Sequence, residues 1–129
     1  MVIDTSAILA WLKEEPERAR IIAALEAHSA RRLSAVSLLE AQIVVRAREH
    51  PALLETLQRF LEEIDAIVTP FDEPQARLAA DAFQRYGKGQ GHPAQLNMGD
   101  CAVYALAKSL NEPLLFVGID FAQTDIEPC

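Results

Sequence analysis

Short apolar runs alternate along the chain with longer segments whose apolar residues recur at helical spacing. Val2-Ile3-Asp4 reads as a brief first strand, and Ser6 to Lys13 as a short, almost wholly apolar helix. Pro16 stands where a second helix can begin, and Ile21, Ile22 and Leu25 give it an apolar stripe. Arg32 to Val36 is predicted to be a second strand, followed by helices from Ser37 to about Glu49 and from Pro51 to about Ile64. Ala66 to Thr69 makes a third strand, halted by Pro70, and Pro74 to Arg85 a fifth helix. From Tyr86 to Gly99 there are four glycines, one proline and no period, a loop of a length that usually carries function. Asp100 to Asn111 is again helical until Pro113, and Leu114 to Val117 is fully apolar, as a buried parallel strand should be. Each return to a parallel strand needs a crossover helix, so the alternation predicts an α/β layer fold with a mostly parallel sheet.

Length fits that plan. At 129 residues, half of them apolar, the chain suits one domain with one core, and neither a linker nor an internal repeat interrupts it. The longest apolar run, Ala7 to Leu12, is far too short to cross a bilayer. Met1 is followed at once by Val2, Ile3 and Asp4 rather than by a basic leader, so a cytoplasmic protein is expected. Cys101 and Cys129 make no disulfide framework, which agrees with a reducing compartment. A formal charge of −7 argues against a protein that coats nucleic acid without specificity.

In parallel sheets, ligands bind beyond the carboxyl ends of the strands. Asp4 closes the first strand, and Asp120 lies three residues past the last. Glu40 and Asp100 belong to the first turns of helices. Each acid has an ordinary reading on its own: Ser37 and Glu40 have the spacing of a capping box, and Asp100 suits a helix N-terminus. Yet Glu40 shares its helix face with Ile43, Val44 and Ala47, and Asp100 shares its own with Val103, Tyr104 and Ala107. Both acids are therefore expected to point inward with no Lys or Arg beside them. A lone buried carboxylate costs several kcal/mol unless something neutralises it. A shared cation would do so, and all-oxygen ligation favours Mg²⁺ or Mn²⁺ over zinc.

At these residues the sequence resembles the PIN-domain ribonucleases, in particular the VapC toxins of bacterial toxin–antitoxin pairs. The likeness runs through Met1-Val2-Ile3-Asp4-Thr5-Ser6-Ala7 and Ser34-Ala35-Val36-Ser37-Leu38-Leu39-Glu40-Ala41. It continues in Arg85-Tyr86-Gly87-Lys88-Gly89 and in His92-Pro93-Ala94-Gln95-Leu96-Asn97-Met98-Gly99-Asp100-Cys101. It ends in Leu114-Leu115-Phe116-Val117-Gly118-Ile119-Asp120-Phe121 and Thr124-Asp125-Ile126. Gln90-Gly91 looks like a small addition to the loop, and Ile119 stands where the family usually has a polar residue.

The resemblance implies a single PIN domain over residues 1–129, three-layered α/β/α, with four to five short strands. It implies that Asp4, Glu40, Asp100 and Asp120 are catalytic and bind Mg²⁺ or Mn²⁺ for hydrolysis of RNA phosphodiester bonds. Ser6 and Asn97 would orient these ligands, with Thr5 a poorer candidate, and Arg85 and Lys88 would contact substrate. Asp125 competes with Asp120 for the fourth position. A cognate VapB-like antitoxin and a homodimer are the partners it implies. Two bound divalent cations would bring the formal −7 to about −3, so the acidic balance does not exclude an RNA substrate.

The remaining signals are ordinary. His28 and His50 are expected at helix ends, His92 in the loop facing the site, Trp11 in the core, and Arg31-Arg32 at a solvated strand entry. Two rival readings are a structure-specific DNA nuclease of the same fold and a receiver-like phosphoacceptor domain. The second normally places two adjacent acids after the first strand, where only Asp4 stands here.

Overall fold

The computed structural model describes residues 1–129. Its elements are β1 (Val2–Ile3), α1 (Thr5–Leu12), α2 (Arg18–Ala27), β2 (Arg32–Ser34), α3 (Ala35–Arg48) and α4 (Leu53–Glu63). There follow β3 (Ile67–Thr69), α5 (Glu73–Tyr86), α6 (Met98–Leu110), β4 (Leu114–Leu115) and a 3₁₀ turn at Phe121–Gln123. The strands form one sheet in the order β3-β2-β1-β4, with every pairing parallel. Beyond β4 the C-terminal segment adds only an isolated bridge, with the Cys129 amide donating to the Leu114 carbonyl at 3.0 Å.

The pleat divides the core in two. Ile3 and Leu115 join Ile8, Ile21, Val45 and Phe60 on one face, beneath α1 to α4. Their neighbours Val2 and Leu114 point the other way, into a cluster with Tyr104, Leu106 and Phe116 beneath α5 and α6. Three layers result from strands only two or three residues long, because each central strand position is buried by a helix layer. No helix is long and apolar enough to cross a membrane.

Several boundaries differ from expectation, two of them beside the acids. Helix α3 begins at Ala35, not Ser37, because Ser34 caps it by accepting the Val36 amide at 3.2 Å. Ser37 is thus interior to the helix and fully buried, and makes no capping box with Glu40. The last strand is also shorter, since Phe116 and Val117 leave the sheet to reach the 3₁₀ turn.

Several local readings change with it. Arg31 is no solvated entry residue: its guanidinium donates to the Leu25 and Ile64 carbonyls and ties α2 to the end of α4. Arg32 pairs with Glu112 at 3.1 Å. Trp11 stacks on Phe60 with ring centroids 4.0 Å apart, as a core residue should. His28 contacts the Ala24 carbonyl, and the His50 ring accepts the Ala52 amide, so both serve helix ends. His92 stays within its own loop, accepting the Ala94 amide and setting its ring edge-on to Tyr86. Both cysteines are free thiols.

Candidate active site

Strand β1 stops at Ile3 because Asp4 turns from ladder to cap. Its amide still donates to the Leu115 carbonyl, while its carboxylate accepts the Ser6 amide at 2.9 Å and starts α1. Asp4 is only 5% exposed, at the carboxyl end of the central strand. Ser6 donates its hydroxyl to the same carboxylate and accepts the Val117 amide at 2.9 Å. One serine therefore holds the end of β1 against the segment that leads from β4 to Asp120.

Glu40 reaches the same end from the second turn of α3. The buried line of that helix is Ser37, Ala41 and Val45, while Ile43 and Ala47 are exposed, which corrects the expectation that Glu40 points into the core. Its carboxylate lies half-buried at the mouth instead, where the Thr5 hydroxyl donates to Oε2 at 3.2 Å. Thr5, the poorer candidate by sequence, is thus the residue that fixes Glu40.

Asp100 stands in the first turn of α6, opposite. Asn97 accepts the Asp100 amide and Asp100 accepts the Asn97 amide, both at 2.9 Å, in a reciprocal capping box. Between them Gly99 has a function no sequence pattern singled out. A Cβ there would lie 2.8 Å from Glu40 Oε2, so the bare backbone of α6 is what admits the Glu40 carboxylate. Asp120 precedes the 3₁₀ turn, exposed and making no side-chain cap bond.

The charges sense one another. Burial holds the Asp4 carboxyl above the usual carboxylate range, against the lowering effect of its Ser6 bonds, and Asp120 adds to the rise. Glu40 is raised by burial and then by the charge of Asp4. Asp100 is pushed up to about 7, first by burial and then by Asp4, Glu40 and Asp120. Every ion pair in the protein involves other acids, so no Lys or Arg compensates these four. They are gathered without being closed into a shell: no three His, Cys, Asp or Glu side chains meet at metal-ligand spacing. Each of Asp4, Glu40 and Asp100 is turned to its own hydrogen-bond donor.

The basic candidates behave differently from each other. Arg85 donates to the Tyr86 hydroxyl at 2.6 Å and stands 3.8 Å from Asp125, which occupies its guanidinium. Lys88 is exposed in the loop after α5 and makes no ion pair. Asp125, the competing candidate, has its carboxylate engaged by Tyr104 and Lys108.

A parallel sheet with acids beyond the carboxyl ends of β1 and β4 and in the early turns of α3 and α6 defines a class. The family model of the PIN domain matches residues 1–127, and the chain belongs to that family. Within it the relatives are VapC ribonucleases. VapC ribonuclease Mb0625 of Mycobacterium bovis is 46% identical over 127 residues, covering 98% of this chain and 96% of that one. Ribonuclease VapC42 of Mycobacterium tuberculosis is 42% identical over 128 residues, covering 99% and 98%. Among solved structures, VapBC2 of Rickettsia felis bound to a promoter DNA fragment is similar in fold, with a TM-score of 0.77 at 15% identity over 98% of this chain and 94% of that one. The sarcin-ricin loop cleaving toxin VapC20 of Mycobacterium tuberculosis gives 0.76 at 13%, over 99% and 97%. The receiver-like reading falls with this result.

Proposed function

We propose that the chain is a toxin-type endoribonuclease that hydrolyses RNA phosphodiester bonds with Mg²⁺ or Mn²⁺ held by Asp4, Glu40, Asp100 and Asp120. The observation that carries this reading is the uncompensated acid group: Asp4 almost fully buried, and Asp100 raised to about 7, with no basic side chain paired to either. An oxygen-only donor set of this charge fits a hard divalent cation. When bound, such a cation supplies activation of water and neutralisation of the phosphate charge. Water attacks phosphorus, the O3′ of the preceding nucleotide leaves and takes a proton, and a 5′-phosphate and 3′-hydroxyl remain.

The residues of the chain supply position. Ser6 and Thr5 orient Asp4 and Glu40 by hydrogen bonds, and Asn97 holds Asp100 through its cap. Lys88 is the free cation in the neighbouring loop and contacts the RNA backbone in this reading, whereas Arg85 is engaged with Asp125. Relatives named as ribonucleases favour RNA over structured DNA as the substrate.

Two partners follow. The Rickettsia felis neighbour is a VapBC complex, which supports a cognate VapB-like antitoxin here. A second copy of this chain fits the apolar face of α3, α5 and α6. There Leu39 and Ile43 are 58% and 55% exposed and Met98 81%, beside a 420 Å³ cleft lined only by apolar residues that include Phe71 and Phe83. Exposed apolar residues gathered on one face in this way mark an interaction surface.

The test is cleavage of total RNA by the purified chain with Mn²⁺, beside Asp4→Asn and Asp100→Asn. Cleavage lost in both variants supports the reading. No cleavage by the parent, or undiminished cleavage by the variants, overturns it.

A further inference from the structure

Asp125 lies five residues past Asp120, exposed, yet side chains from both α5 and α6 converge on it. It accepts the Tyr104 hydroxyl at 2.7 Å and Lys108 Nζ at 3.1 Å, and Arg85 stands 3.8 Å away. Those donors hold it well below the usual carboxylate range, to about 2. Tyr104 is one helical turn beyond Asp100 on α6, and its neighbours on that face are the site residue and the core. Arg85 is in turn stacked over the Tyr86 ring at 4.6 Å, and Tyr86 lies 5.8 Å from Tyr104, so the C-terminal turn of α5 is included.

The segment between the two aspartates is hydrogen-bonded to itself and anchored by buried side chains. Thr124 Oγ1 donates to the Phe121 carbonyl at 2.7 Å and accepts the Ile126 amide at 3.2 Å, closing the 3₁₀ turn on itself, while Phe121 and Ile126 are buried. This hydrogen-bonded turn is the stretch of chain that joins Asp125 to Asp120. Asp120 has no side-chain hydrogen bond of its own to set its place.

We propose that Asp125 is a positioning residue: through Tyr104, Lys108 and Arg85 it fastens the Asp120-bearing turn to α6 and so sets Asp120 against Asp100. The proposal rests on the reading of the four acids as a divalent-cation site. Asp125 touches neither the cation nor the substrate.

The test measures Mn²⁺ binding directly, by calorimetry or electron paramagnetic resonance, together with melting temperature. Asp125→Ala weakens Mn²⁺ about tenfold, the lower end of what outer partners of metal ligands supply. Tyr104→Phe, which removes one hydroxyl and no charge, weakens it in the same direction, and the double variant weakens it less than the two single effects combined. Leu57→Ala, in the core on the other face of the sheet, lowers the melting temperature and leaves Mn²⁺ affinity unchanged. Unchanged Mn²⁺ affinity in Asp125→Ala and Tyr104→Phe overturns the proposal, as does a loss of affinity in Leu57→Ala of the same size. If the parent chain itself binds no Mn²⁺, the metal-site reading fails instead.

Discussion

Glu40 Oε2 occupies the space that a side chain at residue 99 would need: a Cβ on Gly99 would stand 2.8 Å from it. The Glu40 carboxylate therefore lies against the first turn of α6 in space that glycine at residue 99 leaves open. Gly99→Ala must push Glu40 away from Asp100 or shift the helix start. Cleavage rate should fall by tenfold or more, with fold and melting temperature nearly kept, because the backbone at Gly99 is not in the left-handed region. Rates and circular dichroism of the variant check this.

Ser6 links the Asp4 carboxylate to the segment beyond β4, through the Val117 amide at 2.9 Å. Ser6→Ala leaves the Val117 amide without its partner and the buried Asp4 carboxylate with the residue-6 backbone amide but not the hydroxyl. A stability loss of about 1–3 kcal/mol is expected, together with weaker metal binding. Ser6→Thr, which retains the hydroxyl, should recover much of both. Denaturant unfolding and a Mn²⁺ titration of the two variants separate the effects.

Asp100 contributes to the site's pH dependence beside Asp4 and Glu40, which burial also raises. Its folded-state value, about 7, lies above its ordinary 3.8, so the protonated form is favoured by folding and the ionised form is penalised. The metal-free protein is spared this cost below about pH 4 and bears it increasingly as pH rises toward 7. Asp100→Asn should accordingly raise the melting temperature of the metal-free chain at pH 8, by about 4 °C for about 1 kcal/mol, and have little effect at pH 4. Mn²⁺ affinity of the parent should climb between pH 6 and 8 as the proton is displaced. Thermal scans and titrations in chelated buffers give both slopes.

The apolar face predicts its own outcome. Ile43→Glu places a charge on exposed surface of α3 and should leave the monomer fold intact, since the buried line of that helix is Ser37, Ala41 and Val45. Sedimentation should show a dimer for the parent and a monomer for the variant. A parent that is monomeric at high concentration contradicts the second copy as occupant.

Most of the fold could be read from apolar spacing, because strands buried on both faces and helices with one buried stripe leave different periods. Asp4 was legible for the same reason, as a charge ending an apolar strand. What escaped were features set by contacts between distant segments. Glu40 looked inward by helical neighbours alone, but Ile43 and Ala47 have no core over them in the folded chain. Thr5 and Gly99 matter because α1 and α6 each approach Glu40, a relation no local window contains. Arg31 and Arg32 read as solvated until the ends of α2 and α4 and Glu112 came to meet them.

The central claim is that Asp4, Glu40, Asp100 and Asp120 hold the cation that RNA cleavage requires. Crystals grown with Mn²⁺ test it most directly, by anomalous scattering. The account predicts a Mn²⁺ peak among these four carboxylates in the parent, and its loss in Asp4→Asn. A peak bound elsewhere, or RNA cleavage by a chain whose four acids bind no cation, would contradict it.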